Sequence, residues 1–402
     1  MREIRQTEIF PNKDLALGDV NIVPALTVAF YPEEKGPYNF RTEGLDRNGK
    51  VRNPEQMWGG MMRSIQTNDF EAANVQYIEM WLMDPFVYNS QHRGGDVYFD
   101  LGDVSEDILK DGRKSFENGL PVCTDTSKIE STIWGRIPLV QSIVNGFDNN
   151  SQARRFQDVG LDGMSNEEER VHYAAYLQNL RTIYGEDSKI YQDAYNDPAG
   201  DDYHFFRGSD FDALQTPILD RYKRYNGTEG NSPTAEMSPE SYSTAATTLP
   251  DVEDINGDNT LNETEAFFRY HLHLSPNEMQ VGKNFISSIT TATVELPNGT
   301  TEEIKWYQIR IPLNSSQRMQ WGQPDLKSVR FMRMFLKGFQ DSVVLRMASL
   351  DLVRDNWRKY EGALDDRLPD NDQNTTFDVS VVNLEENASK TPVNYVMPPG
   401  ID

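Results

Sequence analysis

The stretches NVQYIEMWL (Asn74–Leu82) and SVRFMRMFL (Ser328–Leu336) decide the fold. In each, a β-branched or aromatic position alternates with another apolar one, so both faces of the segment are hydrophobic. A strand of that kind is buried on both sides or lies in a sandwich core. The two segments align along their whole length, and each falls late in a β-rich block. This predicts two β-sandwich, jelly-roll-like domains of one kind, related by duplication. Convergence of two buried strands on one pattern is the alternative.

Outward from these strands the chain divides into blocks. Residues 1–148 read as the first sandwich, with ALTVAFYP (Ala25–Pro32) and DVYFDLG as further strands. Residues 149–225 read as a helical insert. Its best helix is SNEEERVHYAAYLQNLRTIYG, with Val171, Ala174, Leu177, Leu180 and Ile183 at helical spacing and a capping box of Ser165 and Glu168. Residues 226–250 are small, polar and Pro-punctuated, a surface loop or linker. Residues 251–361 carry an acidic loop and the second sandwich, through AFFRYHLHLS, IKWYQIRIPL and VVLRMASLDLV. Residues 362–402 read as a linker and the start of a further segment. The predicted class is mainly β, with a small α-helical, loop-rich insert.

Charge narrows the partners. Thirty-nine basic residues face 63 acidic ones, a net charge of −24. Nucleic-acid binding needs a basic stripe that the sequence lacks, and an anionic membrane surface is disfavoured for the same reason. Multivalent cations and cationic partners are favoured. The single cysteine, Cys123, permits no intrachain disulfide. No stretch approaches the roughly 20 apolar residues of a membrane helix, so no transmembrane segment is expected. MREIRQTEIF lacks the apolar centre of a signal peptide, and YVMPPGID stops without a capping element. Both ends read as cuts in a longer chain.

The acidic surplus is concentrated in loops. DINGDNTLNETE (Asp254–Glu265) has the register of a calcium loop, with oxygen ligands at positions 1, 3, 5, 7, 9 and 12. These are Asp254, Asn256, Asp258, Thr260, Asn262 and Glu265. Asn259 stands at the position usually held by Gly, and Asn is the next best residue at positive φ. The segment that follows alternates like a strand, so the loop lacks an exit helix. A structural calcium ion is the expected cofactor; an acidic turn is the alternative. A second, less complete loop, DVGLDGMSNEEE, offers Asp158, Asp162, Asn166 and Glu169. Its third position is Gly160, which has no side-chain oxygen. Asp197, Asp201 and Asp202 form another acidic loop that could join such a site, although a solvated loop is the simpler reading.

Catalysis finds little support. There is no HExxH, no GxSxG and no phosphate-binding glycine loop. His271 and His273 share one strand face, where solvent exposure is the simpler reading than a metal. Trp81 and Trp306 lie within strand patterns and read as core. Trp58 and Trp321 each precede a glycine in loop-like sequence and are candidates for stacking on a ligand. A cell-surface carbohydrate-binding module is therefore one alternative function. A glycoside-active enzyme is another, and would need two carboxyls about 5 to 10 Å apart in a cleft.

Several stretches together resemble one family. They are YPEEKGPYNF (Tyr31–Phe40), MWGGMMR (Met57–Arg63), YIEMWLMDPF (Tyr77–Phe86), the long run GGDVYFDLGDVSEDILKDGRKSFENGLP (Gly94–Pro121), QDVGLDG, DINGDNTLNE, VNLEEN and YVMPPGI. The chain resembles the SprA/Sov family, the outer-membrane translocon of the type IX secretion system, which is also linked to gliding motility. The resemblance implies a very large β-barrel that carries folded cargo outward. This segment lacks the repeated lipid-facing strands of a barrel wall. The implied role is a non-catalytic part that caps the pore or docks accessory subunits and cargo. Its implied partners are the rest of the barrel, accessory translocon subunits and secreted proteins. Its implied place is at the outer membrane, on the extracellular or periplasmic face.

Overall fold

The computed structural model describes residues 2–12, 21–109, 113, 120, 126–139, 146–250 and 253–354. Cys123, Trp357 and the segment expected over 362–402 lie outside the described residues.

Two five-stranded antiparallel sheets pack face to face. The chain begins with β1 (Ile4–Arg5), helix α1 (Gln6–Ile9), β2 (Ile22–Val23), β3 (Leu26–Phe30), β4 (Trp58–Ser64), β5 (Val75–Met83) and β6 (Gly95–Asp103). Two short strands follow, β7 (Ile129–Ser131) and β8 (Arg136–Pro138), which pair with each other. After a helical region come β9 (Ala266–Leu274), β10 (Ile286–Glu295), β11 (Thr301–Pro312), β12 (Met319–Trp321), β13 (Phe331–Lys337) and β14 (Val343–Arg354). The first sheet has the order β10-β11-β5-β14-β3 and the second β12-β9-β6-β13-β4.

This order corrects the two-domain expectation. The class is mainly β, as expected, but strands from residues 1–148 and from 251–361 alternate within both sheets. The two blocks build one sandwich. The paired motifs that suggested duplication are β5 and β13, and they sit in opposite sheets of that sandwich. Their two-sided apolar pattern has a local cause in each. Ile78, Met80 and Leu82 of β5 point into the shared core, where they meet Phe99, Tyr270 and Met334 from the second sheet. The other face of β5 is covered as well. Trp81 joins Trp306, Val294 and Ile304 beneath Ile4 and Ile9 of the N-terminal segment. Trp81 and Trp306 are 4% and 0% exposed, as their strand pattern predicted.

The helical region lies between β8 and β9: α2 (Ser151–Arg154), α3 (Asn166–His172), α4 (Ala174–Tyr184), α5 (Lys189–Asn196), α6 (Ser209–Ala213) and α7 (Ile218–Tyr222). The capping box of Ser165 and Glu168 starts α3 as read from sequence. The single long helix does not form, because Tyr173, at φ −94° and ψ 25°, breaks it into α3 and α4. The break turns the buried stripe. Tyr173, Tyr176, Leu177 and Leu180 face a core with Leu45 and Val51, while Val171 and Ile183 are exposed. Residues 227–249 are a packed loop rather than a free linker. Ser232 accepts from Arg154 Nη1 at 2.6 Å through its carbonyl, and Thr244 O accepts from Tyr203 Oη at 2.7 Å.

The topology makes a direct prediction. A chain ending at residue 148 contains β5 and β6 without any of their ladder partners. It is expected to lack cooperative unfolding by circular dichroism, whereas co-expression with residues 149–361 restores a single transition; a stable 1–148 fragment would contradict one shared sandwich.

Candidate metal centre

The loop before α3 carries the second sequence-predicted site, and the structure completes it from a distance. Asp162, Glu169 and Asp201 each present a carboxylate oxygen within 4.8 Å of the others. All three side chains are sealed from solvent, at 0%, 0% and 1% exposure. Asp201 belongs to the loop expected to be solvated. Its capture corrects that reading, and the cause is Gly160. A Cβ on Gly160 would lie 2.1 Å from Asp201 Oδ2, and the residue has a φ of +72°. The position that offers no ligand of its own is therefore the opening through which Asp201 enters.

Backbone and hydroxyl donors orient the three groups. Asp162 accepts from Met164 N at 3.1 Å and from Tyr173 Oη at 3.1 Å. Glu169 Oε2 accepts from Ala199 N at 2.9 Å. Asp201 Oδ2 accepts from Tyr38 Oη at 2.6 Å and from Thr228 Oγ1 at 3.0 Å. Tyr38 Oη in turn accepts from Leu161 N at 2.9 Å. Glu169 Oε1 and Asp201 Oδ1 have no hydrogen-bond partner.

The other predicted members surround the cluster without joining it. Asp158 Oδ2 accepts from Ser232 N, and the Asn166 amide donates to Asp202. Asp197 accepts from the Gly200 and Asp201 amides and pairs with Arg224. Glu229, in the segment read as a surface loop or linker, is a further carboxylate of this region that sequence reasoning missed. Its backbone bridges Val159 and Asp202. The flanking Glu in a polar, Gly-rich stretch carries no periodic signal that would mark it.

Electrostatics make the cluster costly as it stands. Two like charges 4.8 Å apart repel by roughly 3 kcal/mol at an effective dielectric of 20. Among the described residues no lysine, arginine or histidine pairs with Asp162, Glu169 or Asp201; the nearby Arg224 goes to Asp197 and Asp202. Burial raises the carboxyls of Asp162, Glu169, Asp201 and Glu229. Asp201 is pushed up to about 6, and Glu229 to about 9 with Asp201 and Asp202 adding to the effect of burial. Asp162 and Glu169 are likewise raised by burial, each further by neighbouring carboxylates. Such a group either holds protons or surrounds a cation.

The first sequence-predicted loop is arranged differently. Its front half has the turns of a calcium loop. Asp254 accepts from the Asp258 and Asn259 amides at 3.0 and 2.7 Å, with positive φ at Gly257 and Asn259. The back half points elsewhere. Asn262 donates to Val104 O at 2.7 Å and accepts from Arg330 Nη2 at 3.0 Å, and Glu265 accepts from Ser105 N at 3.2 Å. Glu106 holds the loop instead, accepting from Ile255 N at 2.8 Å and Asn262 N at 3.0 Å. Asn262 and Glu265 are thus held by partners outside the turn that Asp254, Asn256 and Asp258 form. Strand β9 begins at Ala266, directly after Glu265, where a calcium loop would have an exit helix.

The outer face of the second sheet is a different kind of surface. Register sets Arg269, Asp100 and Arg333 side by side on β9, β6 and β13. Asp100 is fully buried and bonds Arg269 Nε at 2.6 Å and Arg333 Nη2 at 2.8 Å. The next row is aromatic: Tyr98 stacks on His271 and Phe335 at 4.9 and 4.7 Å. In the row beyond, His273 and His271 both bond Asp96 Oδ1 at 2.8 Å. Trp58 and Trp321 are not in loops. Trp58 begins β4 and Trp321 ends β12, the two opposite edges of this sheet. Trp321 already stacks on Phe267 at 5.4 Å with Arg269 over it, whereas Trp58 is 68% exposed.

Comparison with known proteins places the chain in a family. A family model described as a motility related/secretion protein matches residues 175–402, more than half of the chain and every strand from β9 onward. The sandwich and its inserted helical region therefore belong to the class of motility and secretion proteins. The chain is a member of the SprA_N family, which bears out the resemblance read from its motifs. No curated protein matches it. The family is associated with secretion machinery at the cell envelope, and among the described residues no helix is long and apolar enough to cross a membrane.

One substitution tests the geometry of the centre. Gly160→Ala forces a Cβ onto Asp201 Oδ2 at a φ that disfavours side chains. It is expected to lower the melting temperature by at least about 5 °C, while Gly257→Ala, which meets no atom within 4 Å, costs clearly less.

Proposed function

We propose that this chain is a non-catalytic scaffold part of the type IX secretion translocon, and that it docks another protein of that machine through the outer face of its second sheet. Family membership supplies secretion and motility. The observation that carries the finer reading is an apolar patch on a strongly acidic protein. Trp58 and Ile108 are 68% and 58% exposed, and with Met62 and Phe335 they line a groove of about 620 Å³. Gly60 permits the groove, since a Cβ there would lie 2.7 Å from Phe335 Cβ. Contiguous exposed apolar surface of this kind marks protein contacts, and tryptophan is the commonest anchor in them.

Two further features support the reading. The closest group of carboxyls is fully enclosed, which suits a structural role and leaves no room for a sugar between acid and base. The outer sheet face carries the ion row of Arg269, Asp100 and Arg333, which is foreign to a lipid-facing barrel wall. The carbohydrate alternative relies on Trp58 and Trp321 together. They lie four strand spacings apart across the sheet, roughly 19 Å, and six residues apart along it, roughly 20 Å, too far to grip one sugar ring.

The test is a double substitution, Trp58→Ala with Ile108→Ser, in the whole machine. Both side chains are exposed, so the melting temperature is expected to stay within about 2 °C. Co-purification of the other translocon proteins is expected to fall at least tenfold, with cargo secretion falling alongside. Unchanged co-purification would remove this face as the docking site, and glycan retention lost on Trp58→Ala would favour the carbohydrate-binding reading.

A further inference from the structure

We propose that Asp162, Glu169 and Asp201 bind one calcium ion, which ties the loop before α3 to the loop after α5. The inference stands on the enclosed carboxylates and does not depend on the docking face. Three observations carry it. The first is spacing: two oxygens bound to one calcium at about 2.4 Å lie at most about 4.8 Å apart, and the three carboxylates meet that limit. The second is the pair of unpartnered atoms. Glu169 Oε1 and Asp201 Oδ1 belong to side chains that are 0% and 1% exposed, yet neither receives a hydrogen bond. Buried polar atoms are otherwise almost always satisfied. The third is the absence of a charge partner for these carboxylates among the described residues.

The donor set selects the ion. All three donors are carboxylates, which suit a hard cation rather than zinc or copper. Magnesium keeps several waters in a strict octahedron, whereas calcium accepts an irregular shell of carboxylates and carbonyls. An enclosed cluster with hydroxyls of Tyr38, Tyr173 and Thr228 already bonded to the carboxylates leaves little space for waters. The supporting bonds fix the carboxylates before the ion arrives, as outer partners do in metal sites generally. Calcium would then join three segments, 158–169, 197–202 and Tyr38 with its neighbours, into one unit.

The experiment uses the full 402-residue chain. After dialysis against micromolar calcium, elemental analysis is expected to find about one calcium per chain. A chelator is expected to lower the melting temperature by at least about 5 °C, calcium to restore it, and magnesium to do so poorly. Glu169→Gln and Asp201→Asn are expected to abolish both the bound calcium and the chelator response, while Asp258→Asn in the exposed loop keeps them. Should Glu169→Gln fail to fold, Asp201→Asn and the metal content of the unaltered chain decide. No bound metal together with no thermal shift at 1 mM calcium would overturn the proposal. So would calcium that survives Glu169→Gln and Asp201→Asn but is lost in Asp258→Asn.

Discussion

The structure depends on the ladders that flank β5 and β6. β5 bonds β11 on one side and β14 on the other, and β6 bonds β9 and β13. A central strand satisfies its backbone donors and acceptors only through both neighbours. Every neighbour here comes from the late part of the chain. Once β6 and β9 are paired, the chain between Asp103 and Ala266 must leave the sheet and return to an adjacent place. The helical region is thus an excursion from one edge of a hydrogen-bonded pair. Its neck is closed by Glu106, which bonds the backbone of Ile255, Asn256 and Asn262. The acidic loop that resembles a calcium loop is the strand-side collar of that neck.

Two buried carboxylate nodes in this chain are balanced in opposite ways. Asp100 lies in the sheet between two guanidinium groups, placed there by register alone. Its charge is compensated within the protein, and a buried charge so paired is costly to expose by removing a partner. The Asp162 cluster has hydroxyl and amide donors but no guanidinium. Hydrogen bonds stabilise the ionised form of each carboxylate, yet they cannot cancel the repulsion between three of them. The two nodes show how one protein uses arginine where a sheet supplies fixed neighbours, and leaves a charge deficit where loops meet.

Much of this was legible in the sequence, and the misses have physical causes. Two-sided apolar strands, buried Trp81 and Trp306, the Ser165 capping box and the acidic loops were all readable, because each depends on residues close in sequence. Strand order was not, since a buried strand looks the same whichever partner it takes, so β5 and β13 read as copies of one domain. The helix break at Tyr173 was hidden by a run of good helix formers. In the buried carboxylate cluster, Asp162 and Glu169 followed from loop spacing, but the burial of Asp201 and the nearness of Glu229 did not. Asp201 enters where Gly160 leaves room, and a gap cannot be read from a single glycine. The Asp254–Glu265 register was the most complete match to a calcium loop, yet its Asn262 and Glu265 bond Val104, Arg330 and Ser105 outside the turn, contacts that depend on distant strands.

The interleaved strand order also dictates when the protein can become native. β5 ends at Met83, and its partner β14 begins at Val343. A chain that emerges from a ribosome or a membrane pore in order presents β5 and β6 long before anything can pair with them. Both expose unpaired edges and two apolar faces in that interval, the conditions under which strands aggregate. Closure at such sequence separation is intrinsically slow. A chain with this strand order must keep β5 and β6 from pairing elsewhere until its last strand arrives.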